Sequence, residues 1–163
     1  MNKVFLGIGG NLGDRLKNIK TTINLIEEKI SKPQKVSSIY ISEPWGFYHY
    51  RYFTNAVVEL KTDSNPFEIL TTVKDIETIM KRIKTTDNYE GRTMDIDILF
   101  YNKEIIKTEH LTIPHPSLHK RLFVLLPLMD IAPKFIHPVF QKNIAKLLQE
   151  CNDKSKIKKI IDV

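Results

Sequence analysis

Chemistry first shows in the stretch Arg92-Thr93-Met94-Asp95-Ile96-Asp97-Ile98-Leu99. In an extended chain the side chains alternate faces, so Asp95 and Asp97 point the same way with Cα atoms about 6–7 Å apart. Met94, Ile96 and Ile98 then point to the opposite face. Two carboxylates side by side repel unless a cation lies between them, which suits one or two hard divalent ions. Mg²⁺ typically takes one or two carboxylates and completes its shell with phosphate oxygens and water. Arg92 stands just upstream, where a guanidinium could hold a phosphate on the same face. A D-x-D pair can also be no more than a solvated strand face.

Four further constellations carry potential chemistry. Gly7-Ile8-Gly9-Gly10-Asn11-Leu12-Gly13 reads as a strand-to-helix turn whose amides could approach an anion. The dinucleotide fingerprint needs glycine where Leu12 stands, and no Gly-Lys-Ser/Thr occurs, so neither a Rossmann turn nor a P-loop is present. A tight turn packing a helix onto a sheet explains the glycines equally well. Trp45, Phe47, Tyr48, Tyr50, Tyr52 and Phe53 form an aromatic stretch that could sandwich a flat heterocycle. Asn55 offers both a donor and an acceptor, as a pterin or purine edge requires. Arg82, Lys84, Arg92, Lys120 and Arg121 could hold a polyphosphate or be scattered solvated charge. His115 and His119 have the spacing of zinc ligands, but Pro116 lies between them and no adjacent glutamate supports a zincin. His115, flanked by Pro114 and Pro116, reads instead as a rigidly presented donor.

The elements that must position these residues follow from periodicity. Lys3–Ile8 is a β-rich run that the glycines interrupt. Leu16, Ile19, Ile23, Leu25, Ile26 and Ile30 predict a helix from Asp14 onward, stopped by Pro33. Val36–Ser42 and Phe53–Leu60 read as strands, and Glu43–Tyr52 between them as a long loop of the functional kind. Asn65-Pro66 opens a second helix, with Phe67, Leu70, Val73, Ile76, Ile79, Met80 and Ile83 on its apolar face. Lys84–Arg92 is a second loop and Thr93–Tyr101 an alternating strand. Leu118–Met129 and Asn143–Glu150 read as further helices, and the tail from Asp153 as loosely ordered. The order β-α-β-β-α-β predicts an α+β protein with a ferredoxin-like antiparallel sheet and helices packed on it.

Length and composition bound the answer. The chain has 163 residues, which predicts one domain over 1–163. Lys and Arg exceed Asp and Glu by 25 to 19, a net +6 that suits a polyanionic partner without choosing among nucleic acid, membrane and phosphorylated ligand. The single cysteine, Cys151, excludes an internal disulfide framework and a thiol zinc site. The N-terminus lacks the apolar core of a signal peptide, and no apolar run approaches the ~20 residues of a membrane span. These features predict a cytoplasmic protein.

Several stretches together resemble the 6-hydroxymethyl-7,8-dihydropterin pyrophosphokinase family, over roughly Val4 to Pro133. The most specific is Gly91 to Leu99, similar to that family's R-[ST]-x-D-[IL]-D-[IL] signature. It is joined by Gly7 to Gly13, Glu43-Pro44-Trp45-Gly46, Phe53-Thr54-Asn55-Ala56-Val57, and Pro114-His115-Pro116 with Arg121 and Phe123. The resemblance implies transfer of the β,γ-diphosphate of ATP to the pterin hydroxymethyl oxygen, releasing AMP, in tetrahydrofolate biosynthesis. It implies that Asp95 and Asp97 ligate two Mg²⁺ ions and that Arg82 and Arg92 stabilise the moving diphosphate. Glu77, Lys84, Arg92, Ile98, Thr112, His115 and Arg121 would hold ATP. Phe53 and Phe123 would stack on the pterin, with Ser42, Glu43, Pro44, Trp45, Gly46 and Asn55 reading its edge. The two loops would close over the substrates, and the protein would act as a monomer with no nucleic-acid or membrane partner. The chain departs from the family at Tyr89 and Gly91, where tryptophan and proline are common, and at Lys84 and His110, where arginines are common. Two other classes fit parts of the pattern. An RNA-binding module would use the same sheet, but the aromatic strand motif is absent. A metal-dependent phosphohydrolase would use the D-x-D pair and release phosphate without a pterin.

Overall fold

The computed structural model describes residues 1–42, 52–82 and 94–161. Its core is one antiparallel sheet. The strands are β1 (Asn2–Gly10), β2 (Lys35–Val36), β3 (Ile39–Ser42), β4 (Phe53–Thr62), β5 (Asp95–Tyr101) and β8 (Ile157–Ile161), in the order β5-β1-β4-β3-β8, with β2 also on β4. A separate small hairpin joins β6 (Ile106–Lys107) to β7 (Thr112–Ile113). The first four long strands thus lie in the ferredoxin-like order, as the β-α-β-β-α-β reading predicts.

Each face of the sheet is covered. Helices α1 (Arg15–Lys29) and α2 (Pro66–Arg82) lie on one side. They bury Ile19, Ile26, Ile69, Val73, Ile76 and Met80 against Val4, Leu6, Ile8, Val58, Leu60, Ile96 and Ile98. Their starts are written in the sequence. Asp14 accepts the N–H of Lys17, and Asn65 and Glu68 cap each other reciprocally at 2.9 Å. The opposite face carries α3 (Leu122–Ile131) and α4 (Ile144–Glu150), preceded by a 3₁₀ turn at Leu118–Lys120. There Leu118, Leu125, Leu128, Ile131, Ile144 and Leu147 pack on Phe5, Val57, Leu99 and Phe100.

Five elements differ from the sequence reading, each for a local reason. The helix expected over Leu118–Met129 is broken at Arg121, whose extended backbone (φ −126°, ψ 113°) separates the 3₁₀ turn from α3. β1 runs on through Gly7, Gly9 and Gly10, paired with β4 as far as Gly10↔Thr54, and only Gly13 takes a positive φ, 67°. The glycines therefore belong to a strand rather than a turn. The strand expected over Val36–Ser42 breaks into β2 and β3. The Ser37 hydroxyl replaces a backbone acceptor there and takes the N–H of Val57 at 2.8 Å. The alternation of β5 fails at Leu99, where Leu6 pairs with Ile98 but Phe5 with Phe100. Leu99 is an extra, bulged residue, so it and Phe100 both serve the α3 face. The tail, expected to be loose, instead pairs Ile157–Ile161 with β3 as an outer strand. Its β-branched isoleucines suit that role.

Candidate active site

The site grows from the register of three strands. Gly9 of β1 lies between Asp95 of β5 and Asn55 of β4, and Gly7 between Asp97 and Val57. Directly paired residues share a face, so the two carboxylates, two glycines and Asn55 all point to the α3 side. Because glycine has no side chain, the row between the acids and Asn55 is bare backbone. A Cβ built on Gly9 would come within 2.3 Å of the Asn55 amide oxygen, so Asn55 lies flat over Gly9. From the other side Asn55 donates to the Ser42 hydroxyl at 3.2 Å. An amide clamped in this way presents a fixed donor–acceptor edge.

Above this floor lies a cavity of about 680 Å³. Its walls include Asp95 and Asp97 at one end, Phe53, Asn55 and Ser42 at the other, and Arg121 and Phe123 opposite the sheet. The Arg121 guanidinium sits over the Phe123 ring, 5.6 Å from its centroid. The volume suits a small-molecule site, and the lining pairs apolar rings with a few charged groups, as such sites do.

His115 reaches the acids through the bulge. The extra residue Leu99 turns its carbonyl outward, and the His115 N–H donates to it at 3.1 Å. The His115 ring accepts the Ser117 N–H at Nδ1 and brings Nε2 to 3.9 Å from the Asp97 carboxylate. Burial pushes the imidazole below its ordinary pKa. Asp97 opposes that shift and Arg121 reinforces it. Because Nδ1 accepts the Ser117 N–H, the neutral ring carries its proton on Nε2, the nitrogen nearer Asp97.

The expected site residues divide as follows. Ser42, Phe53, Asn55, Asp95, Asp97, Arg121 and Phe123 come together around one cavity. His115 stands beside Asp97 of the wall, while Thr112 is on β7, three residues before it and outside the cavity lining. Glu77 accepts the Ile96 N–H at 2.8 Å and pairs with Lys74 at 3.3 Å, so in this structure it secures the edge of β5. The Ile98 side chain is in the α1–α2 core, which leaves only its backbone for a ligand. Arg82 ends α2, exposed and away from the cavity lining. Glu43, Pro44, Trp45, Gly46, Lys84, Tyr89, Gly91 and Arg92 lie outside the described residues. His119 parts from His115 and packs edge-on against Phe140, with ring centroids 4.6 Å apart.

Sequence reasoning missed Gly7 and Gly9 as a floor, and missed Ser117, Asp153 and Ser155 in the walls. The glycines carried a signal, since alternate glycines within a β-rich run clear one face of a strand. Asp153 and Ser155 carried little, because they follow the last motif and only the isoleucines beyond them mark a strand.

Among the described residues, no group of three or more His, Cys, Asp or Glu side chains gathers to hold a metal. Asp95 and Asp97 therefore form a two-carboxylate platform, a donor set that fits Mg²⁺ when phosphate oxygens and water complete the shell. No helix among the described residues is long and apolar enough to cross a membrane.

Comparison with known proteins points the same way. The family model described as 7,8-dihydro-6-hydroxymethylpterin-pyrophosphokinase (HPPK) matches residues 5–133. A 2-amino-4-hydroxy-6-hydroxymethyldihydropteridine pyrophosphokinase of Aquifex aeolicus is 39% identical over 150 residues, covering 92% of each chain. One of Bacillus subtilis is 40% identical over 131 residues, covering 80% of this chain and 78% of its own. Among solved structures, the wild-type HPPK-DHPS of Plasmodium falciparum with pterin and p-hydroxybenzoate superposes with a TM-score of 0.73 at 21% identity. That match covers 91% of this chain and 43% of the longer one, and it shows a shared fold.

Proposed function

The chain belongs to the 7,8-dihydro-6-hydroxymethylpterin-pyrophosphokinase family, and from that premise we propose how its own residues carry the reaction. It is a transferase of folate biosynthesis, a pyrophosphokinase acting on hydroxymethyldihydropterin with ATP as co-substrate. We propose that residues 1–163 are one such domain acting as a monomer, since one chain supplies the sheet floor and the walls of the cavity described above, and that it acts in the cytoplasm.

The observation that carries the site assignment is the row Asp95–Gly9–Asn55 across three strands. It puts a carboxylate pair and an amide edge at opposite ends of one bare floor. The pterin would occupy the Asn55 end, its edge read by Asn55, Ser42 and the Glu43–Gly46 segment. Phe53 and Phe123 would cover its faces, where aromatic stacking adds affinity without needing water to be held. The hydroxymethyl group would then point along Gly7 and Gly9 toward Asp95 and Asp97.

The triphosphate would lie at the acid end, with His115, Thr112, Arg121, Glu77, Lys84 and the Ile98 backbone holding ATP. In the transfer, the hydroxymethyl oxygen forms a bond to the β-phosphorus. The bond from that phosphorus to the oxygen bridging the α-phosphate breaks, and AMP leaves with the electron pair. The hydroxyl proton passes to a carboxylate of the Asp95–Asp97 pair. Two Mg²⁺ ions, held by Asp95 and Asp97, would supply the charge neutralisation that lets anionic phosphates and carboxylates share this space. Arg82 and Arg92 would act on the same developing charge. Little covalent work falls to the protein, so its contribution is positioning and electrostatics.

The test is direct. The purified chain is incubated with ATP, Mg²⁺ and 6-hydroxymethyl-7,8-dihydropterin, and AMP is followed by chromatography with Asp97→Ala alongside. Pterin-dependent AMP from the native chain, lost in the variant, is the expected result. ADP or phosphate formed without pterin would return the D-x-D pair to a phosphohydrolase reading.

A further inference from the structure

The C-terminal segment, outside the stretch that matches the family model, supplies part of the cavity wall. Asp153 and Ser155 line it together with Asp95, Asp97, Arg121 and Phe123. Asp153 is also tied to the element that carries the last two. One carboxylate oxygen accepts the Leu122 N–H at 3.0 Å. The other accepts both the N–H of Ser155, at 2.8 Å, and its hydroxyl.

Leu122 is the first residue of α3, and that helix has few means of its own to fix its start. Its N-cap is Arg121, whose side chain makes no capping bond, and its first turn holds no acidic residue. Pro127 lies inside it and has no N–H to return to the Phe123 carbonyl four residues earlier. A helix start without a capping acceptor leaves orphan donors and frays. Asp153 provides the missing acceptor from 31 residues downstream, and its negative charge also suits the positive end of the helix dipole. β8 keeps it there, since Ile157 pairs with Ser42, itself on the cavity wall. Burial raises the Asp153 carboxyl, but the bonds from Ser155 and Leu122 outweigh it and hold the group below the usual carboxylate range. The acceptor is therefore charged at neutral pH.

We propose that Asp153 is a positioning residue for the acceptor pocket: by capping α3 from the C-terminal segment of the same chain it fixes the Phe123 ring over the sheet floor, and the C-terminal strand is thereby part of the substrate site. The inference rests on the pyrophosphokinase reading, and its experiment separates the two. Initial rates of AMP formation are measured for the native chain, Asp153→Ala and Asp153→Asn, with pterin and ATP varied in turn.

Losing a cap that bears directly on the ring raises the KM for pterin by about fivefold in Asp153→Ala, while kcat changes less than about twofold. Asp153→Asn keeps one acceptor oxygen, so its KM falls between the two. A merely structural residue would lower the folded fraction, and with it the apparent kcat, at unchanged KM. Unchanged pterin KM in both variants overturns the inference while leaving the activity standing. Should Asp153→Ala not fold, Asp153→Asn decides alone, with a KM raised about twofold or more supporting the inference and a native KM overturning it. A native chain that forms no pterin-dependent AMP overturns the activity and the inference together.

Discussion

The two faces of the sheet are built from the same strands and end up doing different things. One is roofed by α1 and α2, helices of 15 and 17 residues whose apolar stripes run the length of the strands. Their contact is dry, with Leu6, Ile19, Ile26, Val73, Ile76 and Met80 fully buried. The other is roofed by α3 and α4, only 10 and 7 residues long, and by the irregular segments around them. Along β1 that face reads Phe5, Gly7, Gly9. At the Phe5 end it closes with an aromatic cluster in which Phe5 meets Phe100 and Phe135 at 6.0 and 5.1 Å. At the glycine end it stays open as the cavity. Two missing side chains and a short roof turn half a core into a pocket, and the ladder beneath is untouched.

If that division is real, a substitution on each face should produce a one-sided result. Asp97→Asn is expected to lower kcat/KM by about 10³-fold, the scale of losing a charge-stabilising group in a transition state. Its side chain is 52% exposed, so the thermal midpoint should hardly move. Ile76→Ala on the closed face should do the reverse. A fully buried isoleucine cut to alanine costs about 2–5 kcal/mol of stability. Kinetic constants per folded molecule should stay within about twofold, because Ile76 is on the opposite side of the sheet from the cavity and is not among its lining residues. Urea unfolding and steady-state kinetics on both variants check the pair. A large kinetic defect in Ile76→Ala would show that the two faces are coupled.

The open face can also be divided against itself. At its closed end His137 is 3% exposed and stacks on Phe140 at 4.4 Å. Its Nδ1 accepts the N–H groups of Val139 and Phe140. Burial, helped by His119, pushes its pKa down to about 4. The unfolded chain therefore takes up this proton first as pH falls from 6.5. Stability from the neutral ring is complete above about 6.5 and is lost as pH falls toward 4, by about 2–3 kcal/mol over the window. His137→Asn keeps an acceptor near Nδ1 and removes the titration. Its unfolding free energy should be lower at neutral pH yet flatter between pH 6.5 and 4 than that of the native chain. An equally steep profile would assign the acid sensitivity to other groups.

How much of this was legible beforehand follows the same line. The closed face was readable because helical spacing from Ile19 to Ile26 and from Val73 to Met80 writes its burial into the sequence, although Leu16 and Phe67, which the same spacing assigns to the stripes, lie exposed in the first turns of their helices. Asp95, Asp97, Asn55, Phe53 and Phe123 were readable because local motifs and the family resemblance mark them. The Leu99 bulge was not, because the partner of its carbonyl, the His115 N–H, is some way along the chain. Nor was the tail strand, whose partner Ile39–Ser42 is more than a hundred residues away. Periodicity reports what an element buries, and it is silent on distant pairings.

The smallest difference expected lies within one strand. Gly7 and Gly9 share a face, a neighbouring strand and an identical chemistry, and they differ only in what sits above them. An alanine methyl at Gly7 would meet Leu99 side-chain carbons at 3.4 Å, ordinary contact with a group that can give. At Gly9 it would meet the Asn55 amide oxygen at 2.3 Å and the Thr54 carbonyl at 3.1 Å. The amide is the free end of a side chain, so the fold can absorb the clash by swinging it away. Swinging it away breaks its bond to Ser42 and turns the edge that would read the substrate. Gly9→Ala should therefore fold with a near-native midpoint and raise the pterin KM by about tenfold, roughly the worth of one hydrogen-bonding group at a binding site. Gly7→Ala should change KM by less than about threefold. Equal effects at the two positions would mean that the bare floor matters only as space, and that the amide held over Gly9 does not set recognition.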